Sequence, residues 1–183
     1  MKKKSKITDA EIISDKVSHG ILVDTNHIKK IKLNDDVIEC SFQLIGVGKI
    51  SFEGENVVHS DLKNALKELA PHWAAIADQK EDEYINKKNF SKTDLSKFDN
   101  IVITGVSLNG DSFTIIGSKI IDDRTINISP SMKNDEYEHI DAFGETVERL
   151  LYECKMYISG DKFYLKQEVM DFPEDNDGGE SND

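Results

Sequence analysis

Apolar and polar positions alternate through the first well-patterned segment of the chain. Beginning at Ile28, Ile31 and Leu33 alternate with lysines, and Asn34-Asp35-Asp36 then supplies turn residues. The alternation resumes with apolar side chains at Ile38, Cys40, Phe42 and Leu44. A period of two is typical of a half-buried strand. Gly46 and Gly48 interrupt it, and we expect a further strand over Lys49–Glu53.

Helical spacing replaces this alternation after residue 59. Ser60 is the expected N-cap, and Asp61 follows in the first turn, where the helix dipole favours an anion. The apolar positions are Leu62, Leu66, Leu69, Trp73 and Ile76. Pro71 falls inside this run, and a proline there removes a backbone donor and clashes with the preceding turn. We therefore expect a helix kinked at Pro71, or two short helices that meet there.

The most strand-like part of the chain lies between residues 101 and 128. Ile101–Leu108 and Ser112–Ile121 flank Asn109-Gly110, the dipeptide that best fits a type I′ hairpin turn. Asp122-Asp123 turns the chain again into Arg124–Ile128, which completes a three-stranded meander. Pro130 is expected to end the sheet.

A long amphipathic helix is predicted next, capped by Asn134 or Asp135 and stopped by Ser159-Gly160. Its apolar side recurs at 3.6-residue spacing, at Ile140, Phe143, Val147, Leu150, Leu151, Cys154 and Ile158. A last strand is predicted over Phe163–Val169. Strands joined by hairpins, with two main helices, indicate an α+β fold: an antiparallel sheet made of a hairpin and the meander.

Charge divides the 183 residues into three parts. The formal net charge is −12, yet residues 1–6 hold four lysines and no acid, whereas residues 171–183 hold six acids and no base. We expect a polar N-terminal arm over 1–27, a single domain over 28–170 with a charged connector at 79–100, and a disordered acidic tail over 171–183. The domain itself is acidic, which disfavours nucleic acid and favours basic partners.

The cysteines and the N-terminus indicate the compartment. Cys40 and Cys154 lie inside apolar patterns, as buried, reduced thiols of a cytosolic protein do. The lysines of Met1–Ile13 are followed by no apolar region, so we expect no secretory signal, and no stretch is long enough to span a membrane. The expected location is the cytoplasm of a bacterial host.

Motifs for catalysis are missing at the places where their chemistry requires them. Gly46-Val47-Gly48-Lys49 lacks the earlier glycine and the Ser or Thr of a phosphate-binding loop. Glu153-Cys154-Lys155 has the letters of a nuclease motif but lies on a helix, where the two charged side chains diverge. No two of the five histidines have the i, i+4 spacing of a shared metal. We expect no enzyme, no cofactor and no metal.

Four acids are predicted to lie in one row on the outer face of the long helix: Glu138, Asp141, Glu145 and Glu148. Their spacings of three, four and three place neighbours roughly 5–6 Å apart, comparable to the phosphates of a nucleic-acid strand. Such a row destabilises a helix slightly, so it is a candidate partner-binding surface. The other interpretation is an ordinary solvated helix face.

The connector offers a second candidate surface. Aromatic and basic residues interleave there, and a nucleic-acid strand could be held by Tyr84, Lys87, Lys88, Phe90 and Lys92. Rings of this kind stack on bases while lysines follow the phosphates. The other interpretation is a linker whose aromatic residues pack on the core.

Ile101–Gly110 (IVITGVSLNG), continuing through Ile115–Ser118, resembles a stretch found in small proteins of tailed phages. The size, acidity, basic arm and lack of enzyme motifs are also similar to those of anti-CRISPR proteins, in particular inhibitors of type II RNA-guided nucleases. That resemblance implies a stoichiometric, non-enzymatic inhibitor of phage or mobile-element origin that occupies basic nucleic-acid-handling surfaces. It assigns no site residues.

Two functions from different classes follow. The first is inhibition of a nucleic-acid-handling enzyme, a CRISPR effector with its guide RNA being the expected partner, through the acidic row. The alternative is a phage single-stranded-DNA-binding or recombination accessory protein, in which the connector binds nucleic acid directly and the acidic tail attracts partner enzymes.

Overall fold

The computed structural model describes residues 25–44, 46 and 48–162. Most of the predicted N-terminal arm, the predicted strand Phe163–Val169 and the acidic tail 171–183 lie outside these residues. Thr25–His27, the last residues of the predicted arm, form a 3-10 turn that contacts the sheet and the long helix. The folded part therefore includes these three residues.

Within the described residues, seven antiparallel strands form one sheet. They are β1 (Ile28–Asn34), β2 (Val37–Leu44), β3 (Gly48–Glu53), β4 (Ile101–Asn109), β5 (Ser112–Ile121), β6 (Arg124–Ile128) and β7 (Ser131–Lys133). Their order is β3-β2-β1-β4-β5-β6, and β7 also pairs with β5. With the helices described below, the fold is α+β, as the sequence predicts.

The sheet consists of two sequence-local blocks joined at one seam. β1 pairs with β4 through three residue pairs, one of which is Lys32 with Gly105. Gly105 is required here because a Cβ built on it would lie 2.3 Å from the carbonyl oxygen of Ile31. A side chain at this position would push the two strands apart.

Two hairpin turns of the meander differ in type. Asp122 and Asp123 both have positive φ, of 46° and 62°, as a type I′ turn requires. In the preceding hairpin Asn109 pairs with Ser112, so the loop residues are Gly110 and Asp111. Gly110 alone of these two has positive φ, which fits a type II′ turn. The prediction of a type I′ turn centred on Asn109-Gly110 was wrong.

The sheet continues past Pro130, contrary to expectation. β5 is about twice as long as β6, and β6 pairs only with Gly117–Ile121. The first half of β5 is therefore left with an open edge, and β7 pairs with it at Ser112, Phe113 and Thr114. Pro130 accommodates this because its carbonyl still accepts a hydrogen bond, from the Ile115 backbone N–H at 3.1 Å.

Two short helices, α1 (Ser60–Lys67) and α2 (Ala70–Ile76), occupy the segment that contains Pro71. Pro71 lies in the first turn of α2, where a missing backbone N–H costs no helical hydrogen bond. The expectation of two helices meeting at Pro71 describes this segment, whereas a kink at Pro71 is not confirmed. The N-cap of α1 is His59 and not Ser60, because the His59 ring accepts the Leu62 backbone N–H at Nδ1.

The long helix α3 spans Ile140–Ile158 and begins later than predicted. Its N-cap position is His139, so neither Asn134 nor Asp135 caps it. The side chain of Tyr137 is buried, and its hydroxyl hydrogen-bonds to His72 Nδ1 at 2.8 Å, which fixes the preceding residues in a turn. The buried side of α3 confirms the predicted stripe at Phe143, Val147, Leu150, Cys154 and Ile158.

The helices α1, α2 and α3 pack on one face of the sheet, and the connector closes the end of that layer. α1 contacts α3 and β4, and α2 contacts β4. The largest fully buried side chain is Trp73, whose Nε1–H donates to the Ile128 carbonyl at 3.1 Å. The connector folds into 3-10 turns at Lys80–Tyr84, Phe90–Lys92 and Leu95–Phe98. In the described part of the chain no helix has the length and apolar character to cross a membrane.

Candidate functional site

The predicted acidic row is partly broken by the late start of α3. Glu138 precedes the helix, so it does not continue the helical spacing, and its carboxylate lies 3.3 Å from His139 Nε2. The prediction of four aligned carboxylates was therefore wrong for Glu138. Asp141, Glu145 and Glu148 lie on α3, are exposed and span two turns of the helix.

Asp141 has an ordinary structural explanation. It lies in the first turn of α3, where the partial positive charge of the helix N-terminus stabilises a carboxylate. Glu145 and Glu148 lie further along the helix, where this effect has decayed. These two carboxylates remain without such an explanation.

A groove of about 660 Å³ runs between α1 and α3. Glu145 and Glu148 lie on its α3 side together with Arg149, Tyr152 and Glu153. The other side is formed by Asp61, Asn64 and Ala65 of α1 and by its C-cap residue Glu68. Five of the nine lining residues are acids and one is basic, so the groove is strongly acidic. Tyr152 is 53% exposed and places a large ring beside these carboxylates.

Two basic side chains neutralise part of this charge. Arg149 Nε donates to Glu68 Oε2 at 2.8 Å. Lys162 Nζ lies 3.0 Å from Asp61 Oδ2 and 3.1 Å from Glu153 Oε2, and its hydrogen bond to Asp61 is the main cause of its raised pKa. Among the described residues, neither Glu145 nor Glu148 has an ion pair within 4.0 Å. Glu145 and Glu148, on the α3 wall, are therefore the carboxylates of the groove that have no basic partner among the described residues.

Sequence reasoning did not place Asp61, Glu68 and Glu153 in this site. The position of Asp61 in the sequence predicts only a residue that interacts with the helix dipole. The contact between α1 and α3 joins segments about 80 residues apart, as the Glu68–Arg149 pair shows, and no local pattern encodes it. The spacing of Glu145 and Glu148 was the only signal of the groove available in the sequence.

One end of the groove gathers three side chains of metal-ligating type. Oxygen or nitrogen atoms of His59, Asp61 and Glu153 lie within 4.8 Å of one another. The ammonium of Lys162 binds both carboxylates, and His59 already uses Nδ1 to cap α1 and holds Nε2 3.4 Å from the Glu153 carbonyl. This arrangement suits an ammonium group, and a metal ion would have to displace it.

The second predicted surface is only partly available to a nucleic-acid strand. Tyr84 is exposed, but its hydroxyl hydrogen-bonds to Glu83, which raises its pKa and places an acid beside it. Lys88 and Lys92 are exposed, whereas Lys87 pairs with Asp82 at 3.4 Å. Phe90 stacks on His72 with ring centroids 4.0 Å apart, so one face of its ring is already covered. Nucleic-acid binding by these residues stays a prediction.

The ring cluster behind Phe90 is structural. His72 is fully buried and also contacts Tyr137 and Phe143 edge to face. Burial, with smaller contributions from His139 and Arg149, lowers the pKa of His72 to about 3. The imidazole is therefore neutral at physiological pH, and its burial keeps it out of contact with any ligand in solution.

The structure is thus that of an α+β protein with an acidic groove between α1 and α3. Comparison with protein-family models, with curated proteins and with solved structures finds no match to the chain.

Proposed function

We propose that this protein is a non-enzymatic inhibitor that binds the basic, nucleic-acid-binding surface of an enzyme in the bacterial cytoplasm through the acidic groove between α1 and α3. The observation that carries this proposal is the pair Glu145 and Glu148. Both are exposed on one wall of the groove, and no described basic side chain neutralises them.

The local energetics support this interpretation. Like charges three residues apart on a helix destabilise it by a few tenths of a kcal/mol, and Glu145 and Glu148 have this spacing. A docked arginine or lysine would remove the repulsion and form charge-assisted hydrogen bonds. Charge complementarity of this kind also steers association and raises its rate.

An RNA-guided nuclease is the partner to test first. Such effectors hold the guide and target duplex in a positively charged channel, and the chain is similar in size and acidity to proteins that inhibit them. The groove would compete there with target DNA, consistent with a phage or mobile-element origin. Direct binding of free nucleic acid is the alternative, and the acidic groove does not favour it.

The experiment measures how well the full chain displaces labelled target DNA from a guide-loaded type II nuclease. We expect the parent to displace DNA, and the Glu145→Lys/Glu148→Lys variant to need at least about tenfold more protein, which corresponds to roughly 1.4 kcal/mol. Asp122→Lys/Asp123→Lys makes the same change in net charge at the β5–β6 turn, away from the groove. Both positions have positive φ, which Asp and Asn adopt more readily than Lys, so the lysine variant would also disturb the turn. Asp122→Asn/Asp123→Asn and Glu145→Gln/Glu148→Gln are therefore the matched pair for the quantitative comparison.

Two outcomes contradict the proposal. Equal displacement by the Glu145→Lys/Glu148→Lys variant and the parent would show that the groove is not the binding surface. Binding of free single-stranded DNA in a mobility-shift assay, with an affinity that falls as salt rises, would favour the alternative function.

A further inference from the structure

The two cysteines of the chain meet in the core. Cys40 lies in β2, where its register partners are Ile31 and Phe52 on the flanking strands, and Cys154 lies on the buried side of α3. Their sulfur atoms are 3.0 Å apart, and both residues are fully buried. Nonbonded carbon atoms pack at about 3.5–4.0 Å, and sulfur is larger than carbon, so this contact is unusually close.

We propose that Cys40 and Cys154 form a covalent modification site, an intramolecular disulfide that links the sheet to α3 under oxidising conditions. Both cysteines are free thiols in the structure. A disulfide has a sulfur–sulfur distance of about 2.05 Å, so the atoms need to approach by roughly 1 Å. The chain has no third cysteine, and no other intramolecular pairing competes.

Burial of the two thiols controls how fast the disulfide forms. Burial is the main cause that raises the pKa of Cys154, and the neighbouring thiol of Cys40 adds to it. The thiolate is the reactive species, so the closed structure reacts slowly. Reaction requires α3 to separate transiently from the sheet, or takes place during folding before α3 docks.

The step balances with a small disulfide such as glutathione disulfide as the oxidant. The thiolate of one cysteine attacks the oxidant, forms a mixed disulfide and releases one glutathione thiolate. The second cysteine then attacks the protein sulfur of that mixed disulfide and releases the other glutathione. Two protein thiols are oxidised, one glutathione disulfide is reduced to two thiols, and the two protein protons pass to the leaving thiolates.

The cross-link has two consequences. It closes a loop of more than 100 residues that contains α1, α2, the connector and the meander, and closing a long loop restricts the unfolded chain strongly. It also fixes α3 to β2 near Glu153, at one end of the acidic groove. In a reducing cytoplasm the pair remains two thiols, and oxidative conditions convert it to the linked form.

The test uses the full chain. The protein is unfolded, then refolded either with glutathione disulfide in excess or with dithiothreitol, and the intact mass and peptide map are recorded. We expect the oxidised sample to lose two hydrogen atoms and to yield a peptide pair joined through Cys40 and Cys154. Its thermal midpoint should be higher by roughly 10 °C, and dithiothreitol should return the midpoint to the reduced value.

Cys154→Ser is the control, because it leaves Cys40 able to form only a glutathione adduct or an intermolecular disulfide, and no internal link. The readout on the unchanged chain does not depend on whether this variant folds. Two free thiols after oxidative refolding, or only glutathione adducts and intermolecular dimers, would overturn the inference. A linked form whose midpoint is no higher than that of the reduced form would also overturn it, because the folded geometry would then resist the bond.

Discussion

At the scale of single residues, one buried imidazole links the stability of the core to pH. His72 is enclosed by Phe90, Phe143 and Tyr137, and its Nδ1 is hydrogen-bonded to the Tyr137 hydroxyl. Its Nε2 has no hydrogen-bond partner among the described residues. Protonation would place a charge in this enclosure beside His139 and Arg149, so the folded state strongly favours the neutral ring.

We predict that stability falls below pH 6.5 because of His72. In the unfolded chain the imidazole protonates near its ordinary pKa of 6.5, whereas in the folded state the pKa is about 3. Between these two pKa values the folded state therefore binds fewer protons than the unfolded chain. The contribution of the neutral His72 ring to the free energy of unfolding is fully present above pH 6.5 and is lost as the pH falls towards 3. The slope from this group approaches about 1.4 kcal/mol per pH unit.

Urea unfolding at several pH values between about 7 and 5, inside this window, measures the effect. His72→Gln keeps a polar side chain but does not titrate, so its free energy of unfolding should vary less with pH than that of the parent. Equal slopes for the two proteins would show that His72 is not the responsible group.

At the scale of elements, strands were predicted better than helix ends and the connector. The alternation at Ile38, Cys40 and Phe42 was sufficient to place β2, because pleating puts these side chains on one face of the strand. The burial of Ser41 on the other face does not follow from the alternation. Helix starts depend on contacts that apolar spacing does not show: the His59 ring accepts the Leu62 backbone N–H at the start of α1, and Tyr137 is hydrogen-bonded to His72 just before α3 begins. The connector was predicted as a charged segment, with packing of its aromatic residues on the core as one interpretation, and Phe98 is fully buried. Composition does not reveal that Glu81 forms a buried ion pair.

That ion pair attaches the connector to the sheet. Lys119 Nζ, from β5, lies 2.6 Å from Glu81 Oε2, and both side chains are less than a tenth exposed. Burial acts to raise the pKa of Glu81, but hydrogen bonds from Lys119 and Asn100 outweigh it and leave the pKa below its ordinary value. The Glu81 carboxyl is therefore ionised in the folded protein and bonds to the Lys119 side chain.

We predict that Lys119→Met destabilises the protein by about 3–5 kcal/mol, because it leaves the Glu81 carboxylate buried without its partner. The double variant Glu81→Gln/Lys119→Met should recover most of this loss, since the amide still accepts from Asn100 and carries no charge. Urea unfolding of the parent and both variants at neutral pH gives the comparison. A double variant no more stable than Lys119→Met would contradict this account.

At the scale of the whole molecule, the fold class and the acidity were predictable from the sequence, whereas the groove was not. Glu145 and Glu148 were identified by spacing alone. The opposite wall, Asp61 of α1 and the C-cap residue Glu68, has a position that depends on how α1 packs against α3. The same packing supplies Arg149 to Glu68, which decides which carboxylates remain uncompensated.

We predict that Glu145→Gln/Glu148→Gln is more stable than the parent at low salt, by a few tenths of a kcal/mol or more. Repulsion among Asp141, Glu145 and Glu148 is long-ranged in about 10 mM salt, where the screening length is roughly 30 Å, and short-ranged in about 1 M salt, where it is about 3 Å. Unfolding in urea at both salt concentrations measures the difference. A gain of the same size at the higher concentration would exclude charge repulsion as its cause.

The seam between β1 and β4 implies an order of assembly. The hairpins on either side of it close over two-residue loops, such as Asp35-Asp36 and Asp122-Asp123, and such short closures are fast. The seam instead joins residues separated by β2, β3, all of α1 and α2, and the connector, so its closure has a much larger entropic cost. The two halves of the sheet are therefore expected to form as separate local units before Gly105 meets the backbone of Ile31.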